Sequence, residues 1–398
     1  MNTSSLKRQH IAFAGAGFSS AVLARELAES GRYRIDIFES RPHVAGNCHT
    51  SRDPASGVMI HHYGPHIFNT SRAEVWEYVN RFGRFGPYVN RVKAHTARGV
   101  FSLPINLLTI NQFFGTRFGP AEARDFVATL GDASITAPKS FEDQALRFLG
   151  RELYENFFAG YTRKQWGVSP AELPASILQR LPVRFNYDDN YYNQTYQGIP
   201  VDGYTAIVER ILDHPDISVH LNQPLPPDAA AHYDHTYWSG PMDAYFGYRY
   251  GRLQYRSLDF ERFDAEGDYQ GNAVINYCEQ SVPWTRITEH KHFAPWETHE
   301  RSPCFREYSK LASGDDILYY PLRLADDKAL LERYVALAEA QTAVTFIGRL
   351  GTYRYLDMHV VIGDALDLAR DLLSGTPPET RAFSVRPLET PAPRAAAA

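Results

Sequence analysis

Hydrophobic positions change their spacing several times along this chain, and each change marks an element. Residues 10–14 form a short, largely apolar run, as suits a strand buried on both faces of a parallel sheet. Residues 21–30 are good helix formers, with Val22, Leu23 and Leu27 at helical spacing, and Gly31 stops them. Residues 34–38 read as a second strand, with Glu39 at its carboxyl end. A helix at 71–82 and strands at 88–94 and 99–104 follow. From 107 to 181 the period is helical, over 107–114, 121–129, 141–150, 151–159 and 174–181, which predicts an inserted helical bundle. A helix at 205–212 and strands at 217–221 and 236–238 return to the first sheet. Residues 245–310 alternate aromatic and polar positions as an antiparallel sheet does, with strands at 252–258, 273–277 and 285–292. A helix at 325–339, a strand from Val344 and a last helix ending near Leu373 complete the pattern. From Ser374 the chain is rich in Pro and Ala, and disorder is expected there.

The first strand, turn and helix carry chemistry. Gly15 allows a tight turn, and Gly17 has no side chain to hold the backbone away from a pyrophosphate. Phe18 lies in the same turn, and the first N–H groups and dipole of the helix that follows face the phosphates. Glu39 follows Gly17 by about 22 residues, the spacing of an acid that accepts from ribose hydroxyls. The third glycine of this fingerprint is replaced by Ser20, small enough for helix–strand packing. Next come Ser40, Arg41, Gly46, Asn47 and Cys48. An Arg two residues after the acid, then a Gly-Asn turn, continues a phosphate cradle in the manner of FAD proteins rather than NAD folds.

Composition narrows the field. At 398 residues, 44% hydrophobic and 22% charged, the chain can bury a large core in two or three domains. A net charge of −5 without a long basic run argues against nucleic acid or an anionic membrane as the main partner. No apolar run reaches spanning length and no apolar signal core opens the chain. Cys48, Cys278 and Cys304 are scattered, which fits a reducing cytoplasm and no disulfide framework. His61, His62 and His66 lie close together, as do His290 and His292, but no second cluster completes a metal site, so no metal is expected. The 157–167 run mixes aromatics, a hydroxyl and cations. It suits base stacking beside phosphate contacts, and equally helix packing with a solvated cationic face.

Twelve runs in order, at 15–20, 41–48, 63–70, 161–167, 180–192, 196–204, 240–249, 255–260, 269–277, 283–293, 306–309 and 348–358, together resemble the UDP-galactopyranose mutase family of flavin enzymes. The resemblance covers nearly all of residues 8–373. It implies an α/β fold: a FAD-binding Rossmann-like domain (1–84, 198–246 and 340–373), a helical bundle domain (105–183), an antiparallel, six-stranded β-sheet domain (85–104, 184–197 and 247–339) and a disordered tail (374–398). The family contracts a nucleotide-linked hexopyranose to the furanose without net redox change. Reduced FAD attacks the anomeric carbon through N5, UDP departs, a flavin iminium sugar opens and recloses, and UDP reattaches.

By the same resemblance Arg180 and Arg286 grip the diphosphate, with help from Arg256, and His66 completes the catalytic set. Phe157, Tyr161, Thr162 and Trp166 hold the uridine, and Tyr191, Tyr320 and Tyr355 reach the phosphates. Asn90, Asn276 and Glu307 are sugar-side contacts. His66, Ile67, Val219, Arg349, Tyr355, Asp357 and Met358 line the flavin beside the cradle residues. The implied partners are a UDP-linked hexose and a second copy in a homodimer, in the cytoplasm. One departure bears on the substrate: Asn69 stands where the family usually has a second His, which leaves UDP-N-acetylgalactosamine or a dTDP-deoxyhexose open. Ala45 also stands where a Gly is usual. A flavin oxidoreductase with net turnover, or a non-catalytic nucleotide-sugar binder, are the competing readings.

Overall fold

The computed structural model describes residues 8–175, 178, 183–322, 325–377 and 381–387. Its parallel sheet runs in the order Ile217–His220, Tyr33–Phe38, Gln9–Ala14, His235–Trp238, Val344–Phe346. Ile11, Phe13, Ile35 and Ile37 are fully buried in it, as their unbroken apolar runs require. Helices Phe18–Glu29, Gly203–Leu212 and Met358–Leu373 share one core with these strands. The chain leaves Gln9–Ala14 for a strand on one side and later returns to a strand on the other. The crevice at such a reversal, beyond the strands' carboxyl ends, is where ligands bind in sheets of this kind.

A second sheet holds seven strands in the order Tyr320–Pro321, Tyr255–Glu266, Arg301–Leu311, Arg286–Glu289, Val274–Tyr277, Val92–Thr96, Gly99–Leu103. All its pairs are antiparallel except Val274–Tyr277 with Val92–Thr96. Six antiparallel strands are expected, so the strand count and the parallel pair both correct that reading. The strand expected at 285–292 stops at Glu289, where His290 and Phe293 turn inward and are buried.

Between the strands at 99–103 and 196–200 lie helices Leu107–Phe114, Pro120–Leu130, Phe141–Leu153 and Gly160–Trp166, with a π-helical turn at Tyr154–Ala159. Gly150 sits at φ 72° inside one of them, and a Cβ there would lie 2.2 Å from the Leu130 carbonyl oxygen. That is why the helical pattern divides at 150. Of the helix expected at 174–181, residues 176–177 and 179–181 lie outside the described residues.

Two expected boundaries need correction. Residues 184–197 do not join the large sheet. The Asn186, Asp188 and Asn190 side chains each accept from the backbone N–H two residues on, at 3.0–3.3 Å, which turns the chain repeatedly. Tyr196–Pro200 then pairs with Phe68–Thr70 and Phe85–Gly86 in a small sheet of its own. The tail is also ordered in part. Phe346 N–H donates to Ala382 at 2.8 Å, Ser384 N–H donates to Phe346 at 2.9 Å, and Phe383 is buried between them. The open edge of Val344–Phe346 and an apolar side chain outweigh the Pro-rich composition there. Among the described residues no helix is long and apolar enough to cross a membrane.

Candidate active site

The cradle is built from backbone. Gly15 takes φ +96°, and a Cβ on it would lie 2.3 Å from Ser239 Oγ. A Cβ on Gly17, by contrast, would meet nothing within 4 Å. Gly17 is the N-cap of Phe18–Glu29, so that open space lies at a helix N-terminus, where a pyrophosphate is favoured. Glu39 is buried and holds the turn: its carboxylate accepts from Ala16 N–H at 2.9 Å and from Arg41 N–H at 3.0 Å. Ser40 Oγ donates to the same carboxylate. Arg41 donates to Asn47 at 3.0 Å and lies over the Tyr63 ring, and Asn47 donates to the Leu318 carbonyl. A Cβ on Gly46 would lie 3.6 Å from Gly17 Cα. Burial pushes the Cys48 thiol up to about 12, so it stays protonated. Val219 sits beside Ile37 in the outermost strand, and Met358 opens the last helix after Asp357 as N-cap.

Beside the cradle a loop is fixed by imidazoles. His66 N–H donates to His61 Nδ1 at 3.1 Å, and His61 N–H donates to His290 Nδ1 at 3.2 Å. Both rings therefore carry no proton on Nδ1. His66 Nδ1 lies 2.9 Å from the Gly64 carbonyl and must donate, which leaves its Nε2 as an acceptor. Burial lowers His66 to about 4 and His290 to about 3, and holds His61 well below its ordinary value. The loop is neutral at physiological pH. A Cβ on Gly64 would touch Phe260 at 3.3 Å and lie 3.9 Å from Glu307, so the loop rests on the second sheet.

On that sheet the register places Ala94, Asn276, Arg286, Glu307 and Phe260 in one row across neighbouring strands. Residues so paired share a face. Arg286 Nε stands 3.1 Å from Glu307, and Arg286 Nη2 donates to the Tyr161 hydroxyl at 2.8 Å. Burial opposes the Arg286 charge, but Glu307 and the Tyr161, Tyr320 and Tyr191 rings outweigh it and hold the guanidinium firmly protonated. Burial raises the Tyr161, Tyr191, Tyr192 and Tyr320 phenols, which remain donors. The Tyr320 and Tyr355 rings stack at 5.3 Å, with the Arg349 guanidinium against both. Arg349 itself is held by the Leu356 and Tyr319 carbonyls. Among the described residues the buried Asn90 Oδ1 and Asn276 Oδ1 have no hydrogen-bond partner, which leaves both acceptors open to a ligand.

Not every expected contact lies in this row. Arg180 falls outside the described residues. Phe157 is buried and packs edge-on against Phe101 with Phe113 beside it, which places it in the core behind the site. Thr162 is buried and Trp166 half-buried on the same helix as Tyr161. Arg256 spends Nε and Nη2 on the Gln165 and Lys164 carbonyls and on Ser309 Oγ, so it caps that helix instead of waiting for a phosphate. Sequence reasoning missed Arg184, whose guanidinium gathers Asp188, Asn190 and Asn193 into the loop that carries Tyr191. It also missed Tyr192, whereas His61 and His290, singled out only as members of histidine clusters, brace the loop of His66. The repeated Asx pattern at 186–190 was the available signal for Arg184.

A profile of the UDP-galactopyranose mutase family matches residues 156–355, and one of NAD(P)-binding Rossmann-like domains matches 14–82. A probable UDP-galactopyranose mutase of Klebsiella pneumoniae is 56% identical over 93% of this chain and 96% of its own length. The chain belongs to the UDP-galactopyranose mutase family. The expectation of an isomerase of this family, on a Rossmann-like α/β fold, holds. A dTDP-fucopyranose mutase of Escherichia coli is 48% identical over 89% of this chain and 96% of its own length. The crystal structure of a reduced UDP-galactopyranose mutase superposes with a TM-score of 0.72 at 16% identity, over 94% of this chain and 97% of that one. A putrescine oxidase superposes at 0.55 with 12% identity, over 93% and 99%, which shows a shared fold alone.

Proposed function

We propose that the chain interconverts UDP-galactopyranose and UDP-galactofuranose with FAD as cofactor and no net redox change. The Asn276–Arg286–Glu307 row beneath the His66 loop carries this reading. The residues fit FAD: Gly17 leaves open space at a helix N-terminus, and the Arg41–Asn47 clasp closes over the same turn. Glu39, Ser40, Gly46, Cys48, Ile67, Arg349 and Met358 would hold it. Reduced FAD, when bound, supplies an electron-rich nitrogen towards the anomeric carbon.

The chain's own residues do the rest. Arg286 meets the charge that grows on the departing diphosphate, and Glu307 fixes the guanidinium without titrating it away. Tyr191, Tyr320 and Tyr355 donate to phosphate oxygens, and Arg180 supplies the second guanidinium. Trp166 stacks on uracil. Asn90 and Asn276 offer buried acceptors to sugar hydroxyls.

Dithionite-reduced protein, incubated with UDP-galactopyranose and read by chromatography, should equilibrate it with the furanose. Oxidised protein should be nearly inert. Stoichiometric NAD(P)H or oxygen consumption would replace this reading with an oxidoreductase. One observation favours a second substrate. Asn69 folds its carboxamide onto the Ile67 carbonyl at 3.1 Å and presents no imidazole, and a dTDP-fucopyranose mutase is among the similar proteins. A parallel assay on UDP-N-acetylgalactosamine and dTDP-deoxyhexoses decides between them.

A further inference from the structure

Helix Gly160–Trp166 carries Tyr161 and Trp166, while Asn276 and Arg286 sit on the hairpin of Val274–Tyr277 and Arg286–Glu289. These two elements are far apart in the chain, yet a nucleoside diphosphate must touch both. One side chain joins them. Lys164 Nζ lies 2.7, 2.9, 2.9 and 2.8 Å from the carbonyl oxygens of Tyr277, Glu279, Val282 and Trp284. An ammonium has three protons, so at least one is shared; three of the acceptors belong to the turn between the hairpin strands, and the fourth, Tyr277, ends the first strand.

The contact is close in other ways. A Cβ on Gly160 would lie 2.2 Å from the Cys278 carbonyl oxygen. Arg163 donates to Gln280 at 3.2 Å. The far end of the helix is fixed separately, by Arg256 and by Ser309 Oγ donating to the Gln165 carbonyl at 2.7 Å. Lys164 is therefore neither a solvated surface cation nor a phosphate ligand. Its charge is spent on four carbonyl dipoles, and only a compact cation with rotatable donors can serve them all.

We propose that Lys164 is a positioning residue that pins the uridine-side helix to the turn leading into Arg286, and so sets the spacing between the nucleoside and diphosphate subsites. This rests on the substrate reading given above. Without the pin, each half still folds and the helix still presents Trp166, but the two subsites no longer match one ligand. A misplacement of about 1 Å in a positioned group can cost about 100-fold.

The test is calorimetric binding to flavin-loaded protein, with flavin absorbance as the check on folding. Wild type should bind UDP more tightly than uridine. In Lys164→Met, UDP affinity should fall about 10- to 100-fold, while uridine affinity stays within about threefold and flavin content is unchanged. UDP bound as tightly as in wild type overturns the proposal. UDP and uridine weakened together also overturns it, because the helix itself has then loosened. Gly160→Ala, which forces the same junction apart with the ammonium intact, should show the same split and stands in where Lys164→Met does not fold. Flavin-loaded wild type that ignores UDP would instead sink the substrate reading on which this one rests.

Discussion

The two halves of the site are made by different means. The proposed phosphate cradle is backbone, drawn from one contiguous stretch between Ala14 and Cys48, with Glu39 as its buried brace. The proposed substrate half is side chains, drawn from strands and helices scattered through the chain and brought together by sheet register. Where backbone does the binding, what matters is the absence of a side chain. Where side chains do it, what matters is each buried charge and its partner.

The sharpest way to break this contrast is at Arg286. Arg286→Ala leaves Glu307 buried without its cation, so stability should fall by about 3–5 kcal/mol, seen as a lower denaturant midpoint. Turnover should fall by about 3–4 kcal/mol in the transition state while flavin absorbance survives. Adding Glu307→Gln should return stability and leave turnover lost. If the single variant loses its flavin, the halves are not separable.

The glycines of the cradle sharpen the other side. Gly15→Ala meets Ser239 at positive φ and should destabilise the fold by about 1–3 kcal/mol. Gly17→Ala meets only open space at φ −80°, so the apoprotein should stay within about 0.5 kcal/mol of wild type. Yet it should emerge colourless, because the methyl occupies the ligand's place. Equal effects at the two positions would mean the open space is not a binding site.

Acid probes the loop that bridges the halves. His290, at about 3 in the folded protein, binds a proton less readily than in the unfolded chain, and His61 shifts the same way. Their neutrality stabilises the fold above about pH 6.5, and that contribution is lost as pH falls towards 3. His290 alone should cost about 1.4 kcal/mol per pH unit in that window, and His290→Asn should flatten the slope of stability against pH. The smallest effect belongs to Ala45, at φ 73° beside the cradle. Ala45→Gly should raise stability by about 1 kcal/mol, read as a higher melting temperature.

Legibility in the sequence follows the same division. The cradle could be read because strand, turn, helix and acid are adjacent, and each leaves a local pattern. The row of Asn276, Arg286 and Glu307 leaves none, since register across three strands depends on the whole sheet; those residues came from family resemblance. Lys164 and Arg256 looked like surface or substrate cations, because sequence does not show which carbonyls lie within reach. The tail misled for a related reason. Its composition is that of a disordered segment, and only the unfilled strand edge beside it gave Phe383 a place.

That docked segment has a practical consequence. Residues 382–384 complete the hydrogen bonding of Phe346 at the outer margin of the nucleotide sheet. Clipping the protein at 380 would expose that margin as a ready template for another chain, and self-association would follow before any loss of chemistry. A shortened version for crystallisation should therefore keep residues through 387, or blunt the margin with a lysine.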